Sequence, residues 1–422
     1  QGLAGYGSVR QTTETTLGSL RLIGSAAYDA RGDLGDGSRL RAQLYVMREE
    51  QRYRDPLGEI SIKPEDTHDL TTTVGFNVHL SRPVVSWLRL AAVAEGRDQL
   101  LRPYDADDQP RQGDPATRVF GGTGVEADTL LRRIGLHVVP SLRVEVDRDV
   151  RSGRDSSTLQ LANDAPAVVN VQPIARLAVT ETLPGGFTVR ANAGHYSRMP
   201  SLLELYGDSG FVEGNPKLGP ETGWNADAGA EWRIARPLVE ARCDLSSFAS
   251  VVDGLIQFQQ DAYGRAHAVN IGRARILGVE SSVDVRVGRW ARVIASFTYD
   301  DGRDVSDTSL GRHERQLPNR PRVHFYGRPE GRWPIRRDVT VGAYVDLDAT
   351  DGNYLDPANL VELPARFLVG AGLFAEATRV HLVVIASAQN LGDARTFDYA
   401  GFPLPSRSFF VSARLSLPKE NP

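Results

Sequence analysis

The residues best suited to chemistry are thinly scattered, and their spacing points to binding rather than catalysis. Asp105, Asp107 and Asp108, with Asp114 close behind, place four carboxylates in one polar stretch. Such an oxygen-rich cluster can hold a calcium ion. The spacing is not that of an EF-hand loop, and a solvated acidic tip is the preferred reading. Asp346, Asp348, Asp351 and Asp356 repeat the idea in weaker form. The histidines (His68, His79, His137, His195, His267, His313, His324 and His381) include no H-x-x-x-H pair of the kind that ligates zinc. Of these, His79, His137, His324 and His381 fall inside alternating segments. Cys243 is the only cysteine, so an intramolecular disulfide or a cysteine metal cluster is excluded. No Gly-x-Ser-x-Gly elbow is present, and no Ser, His and acid fall in an order that suggests a triad, so no enzymatic role is expected. The densest run of distinctive residues lies between Tyr196 and Glu221. There Tyr206, Phe211 and Asn215 are candidate contacts for a captured solute. Pro200, Gly214, Pro216 and Pro220 set the shape of the loop through fixed φ and permissive turns.

These residues are positioned by segments with a period of two, not by helices. Phe187, Val189, Ala191 and Ala193 interleave with Thr188, Arg190, Asn192 and Gly194. Ala226, Ala228, Ala230 and Trp232 interleave with Asn225, Asp227, Gly229 and Glu231. The same alternation recurs at 40–46, 74–80, 279–286, 292–299 and 408–417. A strand sends successive side chains to opposite faces, so each segment has one apolar and one wet face. About eighteen such segments can be counted, the first near 1–10. Short connections near 81–83, 140–141, 184–185, 235–237, 288–290 and 376–378 alternate with long polar ones. A membrane β-barrel has this rhythm, with short turns on the periplasmic side and long loops outside. An even strand number would put both termini on the periplasmic side.

The wet face decides between membrane and soluble readings. Arg190, Asn192, Asp227, Glu231, Arg242, Asp244, Glu280, Asp284 and Arg414 all lie on it. In a dry core they would leave buried charges unpaired at a cost of several kcal/mol each. They are reasonable as the lining of a polar lumen, with the apolar face turned to lipid. A soluble propeller would need a repeat of fixed period, and none is visible. The expected fold is therefore all-β: a transmembrane antiparallel β-barrel over 1–417, with a short tail at 418–422. The longest apolar stretch is far below the roughly 20 residues of a spanning helix. The net charge of −4 over 422 residues, with Lys63, Lys217 and Lys419 as the only lysines, argues against nucleic acid as a partner.

Four motifs in order resemble the TonB-dependent outer-membrane receptors of the siderophore and cobalamin type. They are Ser197–Gly207 with Gly214–Glu221, Asn270–Ala274 with Gly278–Glu280, Leu317–Pro321, and Asn390–Asp393 with Gly401–Phe409. The resemblance implies a barrel of about 22 strands around an N-terminal plug, in the outer membrane of a Gram-negative bacterium. The plug, pulled by the periplasmic TonB complex, would admit a scarce small molecule such as a ferric siderophore or cobalamin. Some cobalamin carriers hold calcium in external loops, which is what brings the 105–114 cluster into consideration. Neither the plug nor its coupling segment is present in this sequence, so the plug is expected either upstream or as a separate chain. The competing functional readings are a structural barrel subunit of a larger envelope complex and a passive porin-like channel.

Overall fold

The computed structural model describes residues 14, 16–31, 37–58, 64–104, 115–151, 153–154, 161–162, 168–207, 212–260, 266–306, 312–399 and 402–416. The expected segment at 1–10 and the acidic tip at 105–114 lie outside these residues. Seventeen long strands account for most of the rest. They are β1 Thr16–Arg31, β2 Arg39–Asp55, β3 Glu65–Val85, β4 Leu88–Tyr104, β5 Ala116–Leu131, β6 Leu136–Arg151, β7 Val168–Leu183, β8 Phe187–Arg198 and β9 Glu221–Ala235. They continue with β10 Val239–Gln260, β11 Ala266–Val287, β12 Ala291–Asp304, β13 Val323–Arg336, β14 Val339–Thr350, β15 Arg366–Ala377, β16 Leu382–Gln389 and β17 Ser408–Leu415. Neighbours in sequence pair antiparallel, β1 with β2, β2 with β3, β3 with β4 and so on, in one large sheet. The only α-helix among the described residues is α1, Leu202–Tyr206.

The two faces separate as the alternation demands. Between β2 and β3, Leu44 pairs with Phe76 and Val46 with Val74 on one face. Leu44 and Val74 stay 66% and 56% exposed to whatever surrounds the sheet. On the other face Gln43 pairs with Asn77, whose amide donates to the Gln43 side chain at 3.4 Å. Apolar side chains exposed over many strands, facing away from a hydrogen-bonded polar face, invert a soluble protein and suit hydrocarbon.

The strands run longer than their apolar bands, and two turns sit elsewhere than the prolines suggest. The short connection expected near 140–141 falls instead at Arg132–Gly135, between β5 and β6, so Pro140 lies inside β6. The ladder skips Pro140, pairing Glu126 with Ser141 and then Thr129 with Val138. Pro83 likewise lies in β3 beside a bulge, and the turn is at Ser86–Trp87. Proline has no N–H to give a ladder, so it sits at such irregularities as readily as in a turn. His381, read as a strand residue, occupies a tight turn at φ 52°.

The chain resolves into two compact units. The first comprises Gln1–Val179, Asn192–Asn225 and Val252–Gly272, and the second Thr180–Ala191, Ala226–Val251 and Arg273–Pro422. The first carries β1–β6 and the long-loop ends of β7–β11. The second carries the turn ends of β7–β11 and all of β12–β17.

Candidate functional site

The run that stands out in the sequence folds into a clamped loop in the first unit. Ser201 caps α1: its hydroxyl accepts from the Glu204 amide at 3.2 Å, and the Glu204 carboxylate accepts from the Ser201 amide at 2.7 Å. This reciprocal box ties down two orphan donors of a helix too short to form alone. Leu205, fully buried, packs with Leu218, Ile256 and Ala268, and with Tyr206 and Phe258 at the margin. The loop then doubles back. Gly207 has φ 76°, and a Cβ there would meet the Val212 carbonyl at 2.3 Å. A Cβ on Gly214 would meet the Tyr206 backbone at 2.2 Å. Only glycine allows the two strands of the loop to approach this closely.

Charged residues lock the loop to the wall. Arg198 donates to Glu204 at 3.0 and 3.1 Å and to Glu221 at 2.8 and 2.9 Å. Glu221 also accepts from the Ile256 amide at 2.6 Å. Arg118 grips Asp149 with two bonds of 2.6 and 2.8 Å and donates a third to the Pro200 carbonyl at 2.7 Å. Both partners of this pair are about 95% buried, so removing either would strand a charge at a cost of about 3–5 kcal/mol. Burial alone would raise the Glu204 carboxyl. The Arg198 guanidinium and the Ser201 amide outweigh it and hold the group below the usual carboxylate range. Asn270 completes the clamp. Its amide donates to Gly254 O at 2.7 Å and Gly219 O at 3.1 Å, and its oxygen accepts from Gly219 N at 2.9 Å.

Beneath the loop lies a cavity of about 490 Å³. Its wall is the polar face of β2–β6, with Glu49, Gln51, Asp69, Arg97, Gln99, Arg118 and Glu145. Its roof is the loop, from Ser197 through Leu203 to Gly207. The Arg97 guanidinium stacks over the Phe120 ring at 3.9 Å, and Glu49 is paired with Arg21 at 2.7 Å. Among the described residues lining the cavity there is no histidine or cysteine. The donor set suits holding a polar solute through amides, hydroxyls and balanced charges.

The residues singled out from the sequence divide. Tyr206 is half-buried at the end of α1, against the Leu205 cluster. Asn215 spends its side chain on the fold, donating to Ala268 O at 2.9 Å and accepting from Lys217 N at 3.0 Å. Phe211, Asp105, Asp107, Asp108 and Asp114 lie outside the described residues. In the second unit Arg190 bonds Asp244 at 2.8 Å, Arg242 bonds Glu231 at 2.7 Å and Arg292 bonds Asp284 at 2.6 Å. Glu280 shares the face of Asp284 and is exposed opposite Thr298. Asn192 and Asp227 keep the parity of Arg190 and Glu231 along their strands. Arg414 is exposed opposite Val383. The cavity wall went unnoticed in the sequence. Its one signal was parity: Arg118 and Phe120 alternate with Val119, which marks a face but not a cavity.

The TonB-dependent receptor-like β-barrel family matches residues 5–391. The chain belongs to this family. The polar face is thus the lumen of a transmembrane β-barrel, and the apolar face meets the outer membrane of a Gram-negative cell. Solved structures agree in fold. A copper transporter, OprC, superposes with a TM-score of 0.74 at 17% identity, over 94% of this chain and 65% of its own. The FrpB iron transporter of Neisseria meningitidis gives 0.71 at 15%, over 96% and 66%. The siderophore receptor PiuA of Acinetobacter baumannii gives 0.69 at 15%, over 95% and 64%. The chain spans less than two thirds of the length of each.

Proposed function

We propose that this chain is the barrel of a TonB-dependent transporter that captures a scarce chelated solute, of the ferric-siderophore or cobalamin kind. The observation that carries this reading is the polar cavity of about 490 Å³ roofed by the clamped loop. That volume falls within the range of small-molecule sites, and the lining mixes both charges with amides. The similarity in fold to a copper transporter, an iron transporter and a siderophore receptor supports this choice of solute class. In this reading a plug polypeptide closes the lumen, and the TonB complex moves it to admit the solute. The test is solute binding and uptake by the complete receptor, with and without residues 199–220. Loss of capture on deletion is the expected result, and undiminished capture refutes the assignment. Steady current through the receptor in a planar bilayer would favour a passive pore instead.

A further inference from the structure

Four tight turns of the second unit carry a charge that the transport reading leaves unused. Arg236, Arg289, Arg336, Arg337 and Arg379 sit at the connections Arg236–Leu238, Gly288–Trp290, Arg337–Asp338 and Thr378–His381. All five are exposed. Among the described residues none has a carboxylate within salt-bridge distance. Asp338 is the sole acid in these connections. Arginines further up the polar face of the same unit are neutralised: Arg190 by Asp244, Arg242 by Glu231, Arg292 by Asp284, Arg328 by Asp346 and Arg332 by Glu376. The wall is thus balanced and the rim is not.

The rim also has a fixed height. Beside it on the apolar face stand Leu238, Trp290, Trp333, Ile335 and Val380, each more than half exposed. Indoles in this position mark the boundary between hydrocarbon and headgroups. The Arg289 guanidinium lies over the Trp290 ring, 4.8 Å from its centroid. Arg336 and Arg337 follow Trp333 by three and four residues, about 10 and 13 Å of chain at ~3.3 Å per residue, or about 7 and 9 Å along the membrane normal at a strand tilt of about 45°. That carries them from the hydrocarbon edge into the phosphate layer, which lies within the roughly 5–8 Å of interface on each side of the core.

We propose that this rim binds the phosphates of anionic phospholipids in the leaflet at the turn end. A guanidinium offers a planar fork of donors that matches two phosphate oxygens. The arginines recur at the four tight connections β9–β10, β11–β12, β13–β14 and β15–β16, each beside an exposed apolar side chain, as a lipid annulus requires. A soluble acidic protein would call for a clustered anchor. In the first unit the turn at Arg132–Gly135 repeats the pattern, with Arg132 and Arg133 between exposed Leu131 and Ile134.

The test uses the complete receptor in detergent, titrated with phosphatidylglycerol or phosphatidylethanolamine and read by native mass spectrometry. The wild type should retain phosphatidylglycerol at least tenfold over phosphatidylethanolamine. R236Q/R289Q/R337Q/R379Q should lose that preference while solute binding is unchanged, each guanidinium being worth about fivefold near an anionic surface. Raising the salt should erode the preference of the wild type, a reading that needs no variant to fold. Equal retention of the two lipids overturns the proposal. So does a preference that survives the four substitutions or high salt, a preference for lipopolysaccharide, or an acidic soluble protein that occupies the rim in place of lipid.

Discussion

Arg198 shows how one side chain can hold a functional loop. It joins Glu204 of α1 to Glu221 of β9, so the loop and the wall share a guanidinium. Because the Glu204 carboxyl is held below its ordinary value, its contribution is present at neutral pH and lost as pH falls through the depressed value. Protection of residues 199–207 against hydrogen exchange should therefore stay level from neutral pH down to about 5 and fall below about 4. E204Q should weaken protection at neutral pH and flatten the acid response. An unchanged acid response in E204Q would assign the effect to other groups. The sequence already displayed Arg198, Glu204 and Glu221 within its most distinctive run, yet gave no hint that they meet. Their spacing, six and seventeen residues apart, acquires meaning only through the reversal at Gly207 and Gly214. Arg118 and Asp149 are more remote still, and it is the β5–β6 register that sets them side by side.

At the scale of the strand, the polar face is knit by cross-strand pairs of an aromatic with a glycine. Tyr344 pairs with Gly372 and Phe374 with Gly342, and each ring lies over its glycine. Arg328 sits 4.2 Å above the Tyr344 ring and Arg332 5.2 Å above Phe374. A Cβ on Gly342 would meet Phe374 at 2.2 Å and the Gly331 carbonyl at 2.6 Å. Gly342→Ala must therefore push out the ring and the guanidinium stacked on it, at about 1–3 kcal/mol. Gly392→Ala, with nothing within 4 Å, is the control. Thermal unfolding in detergent should drop for the first and not for the second; equal midpoints would show that the ring moves freely. The seventeen long strands were legible as alternating segments because each has a face in lipid and a face in water. Their ends were not. β10 and β11 reach Gln260 and Ala266, well past the apolar band, because a ladder of backbone hydrogen bonds persists in water when its side chains turn polar. Sequence alternation reports the solvent, whereas strand length reports the pairing.

For the molecule as a whole, the governing fact is which solvent each face meets, and β6 offers a direct test. Leu142, Val144 and Val146 lie on its exposed apolar face. Ser141, Arg143 and Glu145 lie on the other, where Arg143 is paired with Glu95 and Glu145. Val144→Arg places a guanidinium in the apolar row. If hydrocarbon touches that face, the cost is about 2–4 kcal/mol near the middle of the bilayer. Ser141→Arg adds the same charge three residues away, opposite Glu126, where the lumen and a carboxylate accept it. Its cost should stay within about 0.5 kcal/mol. Reversible urea unfolding in lipid vesicles measures both. In a soluble protein with a polar surface and a dry centre the order would be the same, because an added arginine is cheap on whichever face meets water. A fluorophore on Val144→Cys in a Cys243→Ala background separates the two cases, since lipid-dissolved quenchers should reach it in a bilayer and no quencher would reach it in a dry protein centre. The order of the two costs shows which face is dry, and the quenching shows that hydrocarbon is what dries it, independently of any solute, plug or partner.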